Sequence, residues 1–214
     1  MKTEYLKRYL YLFLGLLIMA FGVGFSIVGN LGTSPISSVP YTVSLISPIT
    51  VGTATIIMHC VFIFLQILIL RKKYKPIQLL QLPVALVFGV MTDIAVYYLK
   101  GITYSSYFTQ WVLCIIGIIL VAIGVSIEVM ANVVTLAGEG LVLAICQVSN
   151  FKFGNIKVCF DVTLVLTAVL IGLISQGKIL GVREGTIAAA IFVGLLSKQI
   201  IKLIKKTENK QKSV

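Results

Sequence analysis

Gly29-Asn30-Leu31-Gly32-Thr33-Ser34-Pro35-Ile36-Ser37-Ser38-Val39-Pro40 decides how this chain folds. The stretch carries no charge, two glycines, two prolines and a cluster of hydroxyl and amide side chains. It separates two long apolar runs, residues 9–28 and 53–70, and no Lys, Arg, Asp or Glu occurs from residue 9 to residue 70. Irregular backbone at membrane depth is tolerated only where protein buries it or where it lines a wet cavity. Two readings follow. The stretch is a surface loop with a helix cap, or it is a broken or re-entrant segment of the kind transporters use to build a solute site.

The composition sets the compartment. Of 214 residues, 58% are hydrophobic and 12% charged, and mean hydropathy is +1.05. A soluble domain averages about 45–50% apolar and about 25% charged residues. An all-α polytopic membrane protein is expected, as a single membrane domain over residues 1–214. The net charge of +11 does not indicate nucleic-acid binding. The cations lie at the ends of apolar runs, where membrane orientation places them, and are not interleaved with aromatics. Cys60, Cys114, Cys146 and Cys159 form no CxxC pair and read as packing residues. With His59 the sole histidine, no metal site is expected. No cofactor motif is present.

Six apolar runs are long enough to span: residues 9–28, 53–70, 77–99, 108–126, 158–173 and 186–204. Two shorter segments, 34–46 and 135–148, would cover only ~20 Å as helix, short of a ~30 Å hydrocarbon core. If they re-enter, both termini are cytoplasmic. Arg71-Lys72-Lys73-Tyr74-Lys75, Lys152, Lys157 and the basic tail 205–214 then lie inside with Lys2, Lys7 and Arg8, leaving Lys100, Lys178 and Arg183 outside. If they span, the Arg71–Lys75 cluster moves outside. The positive-inside rule favours six spans.

The halves resemble each other. A shift of 102 residues places Gly15 on Gly117, Gly22-Val23 on Gly124-Val125, Asn30 on Asn132, Thr33 on Thr135 and Gly52 on Gly154 without a gap. A shift of 105 places Gly89 on Gly194 and Asp93 on Lys198. With three spans in each half, 9–100 and 108–206, the second half enters from the opposite side, as in an inverted repeat.

Asp93, Glu128, Glu139, Asp161 and Glu184 fall in or beside membrane segments. A charge at mid-bilayer costs at least ~2.5–3.5 kcal/mol on insertion scales, so these carboxylates are candidates for a site. Asp161 and His59 occupy equivalent repeat positions and read either as a protonatable pair flanking a cavity or as structural hydrogen-bonders. Glu139 corresponds to Ser37 in the other half, so one junction is acidic and the other rich in hydroxyls through Thr33, Ser34 and Ser37. Helix N-termini there would present N–H groups to an anion, whereas Glu139 would serve a cation or a proton. Ser34 before Pro35 also reads as an ordinary N-cap. Asn30 and Asn132 are expected to hydrogen-bond backbone freed at each break. Arg183 and Glu184 read as pairing groups or as interfacial anchors.

No His cluster, G-x-S-x-G or Walker loop is present, so an enzyme is not expected. The first junction, Gly29-Asn30-Leu31-Gly32-Thr33-Ser34-Pro35, resembles the YczE/YyaS/YitT group of bacterial integral membrane proteins, as does Gly181-Val182-Arg183-Glu184-Gly185-Thr186. The resemblance implies a multi-pass bacterial inner-membrane protein and carries over no catalytic residues. Some YitT-like members have a soluble domain after the last span; a short Lys-rich tail here is closer to the YczE type. The expected function is a proton-coupled or uncoupled small-solute transporter with its site at the repeat interface. The alternative is a non-transporting membrane partner, an assembly factor or substrate-capture subunit. Beyond the bilayer and a small solute, a second copy or another membrane protein is the remaining partner expectation.

Overall fold

A computed structural model describes residues 2–149 and 151–211. Eight α-helices form: α1 (Lys2–Gly29), α2 (Pro35–Ile46), α3 (Val51–Leu70), α4 (Gln81–Leu99), α5 (Tyr107–Ala131), α6 (Ala137–Ser149), α7 (Phe153–Gln176) and α8 (Glu184–Gln211). Two 3-10 turns, Arg71–Lys73 and Pro76–Leu80, join α3 to α4. The described residues contain no strand.

The protein is an all-α polytopic membrane protein. Six helical stretches are long and apolar enough to cross a bilayer: Leu6–Gly29, Val51–Lys73, Pro76–Leu99, Tyr107–Ala131, Phe153–Gln176 and Glu184–Ile204. The helices α2 and α6 have 12 and 13 residues, about 18–20 Å at ~1.5 Å per residue, and fall short of a span. The helices overrun the apolar runs from which they were expected. α5 continues to Ala131 and takes Glu128 into its last turn; α7 starts at Phe153 and takes Lys157 into its first two turns. Lys157, expected in a cytoplasmic loop, is therefore a helical residue. Most of the expected tail 205–214 extends α8, and residues 212–214 lie outside the described residues.

Local chemistry explains the ends. Thr50 and Ser106 accept the backbone N–H groups of Thr53 and Thr109 through their hydroxyls, capping α3 and α5. Pro35 occupies the first turn of α2, where no N–H is needed. α1 and α5 end on Asn30 (φ 54°) and Asn132 (φ 48°), both left-handed. Asparagine tolerates that region far better than most non-glycine residues. This corrects the expectation for Asn30. The Asn30 amide donates to the Tyr104 hydroxyl at 3.1 Å rather than to backbone, so it serves the break through its own backbone conformation.

α1 and α5 cross at the centre. A side chain on Gly15 would meet the Gly124 carbonyl at 3.0 Å; one on Gly22 would meet the Gly117 carbonyl at 2.8 Å. Residue number rises along one helix as it falls along the other, so they run antiparallel. Small residues let membrane helices approach this closely. Leu12, Leu16, Met19, Ala20 and Val23 of α1 join Val121 of α5 in the main apolar cluster, with Val84, Phe88 and Met91 of α4.

Around this crossing, α4 packs on α1 and α8 on α5; α2 packs on α7 and α6 on α3. α3 also packs on α4, but α7 and α8 form no comparable interface. The α3–α4 contact is made by Gly52 and Gly89 and fastened by Asp93. A side chain on Gly89 would meet the Gly52 carbonyl at 2.7 Å, and the Asp93 carboxylate accepts from Thr50 Oγ1 at 2.6 Å and from the Gly52 N–H at 2.7 Å. Gly154 and Gly194, at the corresponding places on α7 and α8, have open space around them.

Candidate functional site

A cavity of about 590 Å³ lies beside the central crossing and is bordered by α7 and α8. Ser34 and Ser37 of α2 and its cap line it, with Thr55 and His59 of α3, Glu128 of α5, Glu139 of α6, Lys157 and Asp161 of α7 and Ser197 of α8. Met19, Met58, Phe88, Val121, Phe153 and Leu136 supply apolar wall. The size falls within the roughly 300–1,000 Å³ usual for small-molecule sites.

The two irregular junctions both contribute to this wall. The chain leaves α1 at Asn30, turns through Gly32 (φ 90°) and enters α2 at Pro35. Gly32 is required twice: a side chain there would strain the backbone and would approach the Arg183 N–H to 2.8 Å. Ser34 Oγ donates to Ser37 Oγ at 3.1 Å rather than capping the helix backbone. Thr33, 1% exposed, has no hydrogen-bond partner for its hydroxyl among the described residues. At the second junction, Glu128 reaches from the last turn of α5. Its Oε1 accepts the Leu136 N–H at 2.8 Å, tying down the start of α6. Its Oε2 has no partner among the described residues, although Glu128 is only 2% exposed. Unpaired buried polar atoms are costly and few. His59 is 1% exposed and its Nδ1 is likewise without a partner; its ring meets Phe62 and Phe88 edge-on at 6.0 and 6.3 Å.

Asp161 does not stand alone in its helix. Lys157 Nζ donates to its carboxylate at 2.5 Å, one helical turn away, with both side chains half-buried. The sequence reading missed Lys157 because the apolar run begins only at Val158. Asp161 and His59 do lie on the wall of one cavity.

The remaining candidates lie elsewhere. Asp93 fastens α3 to α4 and borders a separate cleft with Tyr97, Tyr98 and Lys100. Arg183 pairs with Glu184 at 3.0 Å and donates to the Asn30 carbonyl at 2.9 Å, while Tyr107 donates to Glu184 at 3.0 Å. Together with the Gly185 N–H on the Leu31 carbonyl at 2.8 Å, these bonds dock the start of α8 on the first junction. Asn132 lines a vestibule of about 570 Å³ with Gln78, Gln81, Gln147 and Thr135. Glu128 lines both this vestibule and the central cavity.

Gln66 and Gln81 form a buried amide pair that the search for charges passed over. Gln66 Nε2 donates to Gln81 Oε1 at 2.9 Å and to the Ala137 carbonyl at 3.0 Å, so α3, α4 and α6 meet there. Gln66 is the sole amide side chain in the run 53–70, and the rule that finds intramembrane carboxylates would have found it.

A helical bundle with six helices long and apolar enough to span, two short helices and a central apolar cavity studded with polar groups defines a multi-pass integral membrane protein. Residues 6–202 match the model of a family described as "Family of unknown function (DUF6198)", and the chain belongs to that family. It is 26% identical over 197 residues to "Uncharacterized protein YyaS" of Bacillus subtilis (strain 168), covering 91% of this chain and 96% of the relative. It is 28% identical over 197 residues to "Uncharacterized membrane protein YczE" of the same organism, covering 92% of this chain and 86% of the relative. These relatives accord with the resemblance drawn from the two glycine-rich motifs. No solved structure matches the chain.

Proposed function

We propose that this protein is a small-solute transporter of the bacterial plasma membrane, with both termini cytoplasmic, built as an inverted repeat and opening its cavity to the two sides in turn. The observation that carries the reading is the difference between two glycine pairs. Gly52 and Gly89 bring α3 against α4, whereas Gly154 and Gly194, their repeat counterparts, line the cavity and face open space. In an inverted repeat the two contacts lie toward opposite membrane faces. Exchange of the halves' conformations would close Gly154 on Gly194 and part Gly52 from Gly89, moving access to the cavity across the membrane. Further support comes from the central crossing. Gly15 meets Gly124 and Gly22 meets Gly117, so each glycine contacts the counterpart of the other, as a two-fold relation requires. A non-transporting partner would call for a filled centre; here both junctions contribute polar groups to one cavity. No residue set proposes a reaction, and transport rather than catalysis is the reading.

Spin labels on Lys152→Cys and Lys198→Cys, in a chain whose four native cysteines are replaced, test it by pulsed electron spin resonance in liposomes. Two distance populations are expected, with a complementary pair between Ile49→Cys and Tyr97→Cys. One distance at each pair, in a protein that elutes as folded, would sink the alternating reading.

A further inference from the structure

The cavity walls identify a class of solute. Three carboxylates, Glu128, Glu139 and Asp161, face it with one ammonium, Lys157. Asp161 holds Lys157, and this leaves Glu128 and Glu139. These two carboxyl groups come from different helices, α5 and α6, and line the same cavity. Glu128 Oε2 is buried and unpartnered, and so is His59 Nδ1, on a different helix and lining the same space. Buried polar atoms without partners, beside the carboxyl groups of Glu128 and Glu139, describe a site lacking a ligand with N–H groups. The rest of the wall is apolar and aromatic, with Met58, Phe88 and Phe153 lining it; such a surface suits a hydrocarbon body, and aromatic faces attract cations.

We propose that the cavity binds a small organic cation, a protonated amine carrying an apolar body. Its ammonium lies at Glu128 and Glu139, with His59 Nδ1 as a third acceptor, and its body lies against Met58, Phe88 and Phe153. An anionic solute would meet three acidic side chains with a single lysine among them. A neutral one would bring no positive charge to Glu128 and Glu139. A hard metal ion needs several oxygens converging on one point, and among the described residues no three His, Cys, Asp or Glu side chains are grouped to hold one. The inference rests on the transport reading only for which cavity is the solute site.

The test compares three ligands of one shape, 2-phenylethylammonium, 3-phenylpropionate and 2-phenylethanol, by calorimetric binding to the detergent-purified full chain. The amine is expected to bind at least about tenfold more tightly than the other two, the scale of one charge-assisted hydrogen bond. Glu139→Gln is expected to weaken amine binding by about the same factor while elution in size-exclusion chromatography is unchanged. Glu128→Gln is a second variant, since glutamine keeps an acceptor for the Leu136 N–H. Equal or tighter binding of the carboxylate or alcohol, no binding of any of the three, displacement of the amine by stoichiometric sodium, or unchanged amine affinity in both variants would overturn the proposal. Amine binding without uptake into proteoliposomes would end the transport reading and leave the amine site. Uptake of another solute class with no amine binding would do the reverse.

Discussion

Asp93 and Gly52 are joined by a hydrogen bond of 2.7 Å from the glycine N–H to the carboxylate, at the point where α3 touches α4. The same carboxylate takes the Thr50 hydroxyl at 2.6 Å. Hydrogen bonds to a charged group contribute about 1.5–3 kcal/mol each, so this half-buried pair fastens the interface more firmly than apolar contact alone. Asp93→Ala is expected to lower the thermal midpoint of the purified protein by several degrees, and Asp93→Asn by less, because the amide oxygen still accepts. Equal midpoints for Asp93→Ala and the parent chain would remove the latch.

Asn30 and Asn132 are predicted to be replaceable by glycine and not by β-branched residues. Their left-handed backbone costs roughly 1–2 kcal/mol for a residue with an ordinary Cβ. Asn30→Gly is therefore expected to leave thermal stability nearly unchanged and Asn30→Val to reduce it. If both fall alike, the amide bond to Tyr104 outweighs the conformation.

The two classes of glycine give opposite expectations. An alanine methyl at Gly22 would lie 2.7 Å from the Val121 backbone nitrogen, with both helices held by their own hydrogen bonds. Overpacking of this sort costs about 1–3 kcal/mol. Gly194→Ala enters open space and is expected to fold normally. Yields of monodisperse protein after detergent extraction separate the two; comparable yields would show that α1 and α5 can spread.

The orientation is predicted to follow the cations of the α3–α4 connection. Lys73→Cys in a cysteine-free chain is expected to resist an impermeant maleimide in intact cells and to react after permeabilisation, with Tyr104→Cys behaving the opposite way. Labelling of Lys73→Cys in intact cells would invert the topology.

The spans were legible because a bilayer imposes one length on every apolar run, and runs such as 53–70 and 108–126 meet it without interruption. Their ends were less so. A helix continues past the hydrocarbon boundary wherever its polar residues find water or a partner, as Lys157 finds Asp161 and Glu128 finds Leu136. The junctions were visible as polar, glycine-rich interruptions, and Ser34, Ser37, His59, Glu128, Glu139 and Asp161 do share a cavity. The role of Asn30 was misread because a side chain's polarity is obvious in a sequence and the sign of a φ angle is not. The open space at Gly154 and Gly194 was not legible, since Gly52 and Gly89 present the same residue type in a closed contact.

The crossing of α1 with α5 also dictates a schedule. The glycine face of α1 has its partner on a helix that begins at Tyr107, and a ribosome adding ~5–20 residues per second needs several seconds to make the intervening chain. During that interval the first helix sits in the bilayer with Gly15 and Gly22 turned to lipid or to the insertion machinery. The first half thus completes its own packing only after the second is made. Division of the gene in the loop between Lys100 and Tyr107 is therefore expected to give two pieces that assemble when supplied together.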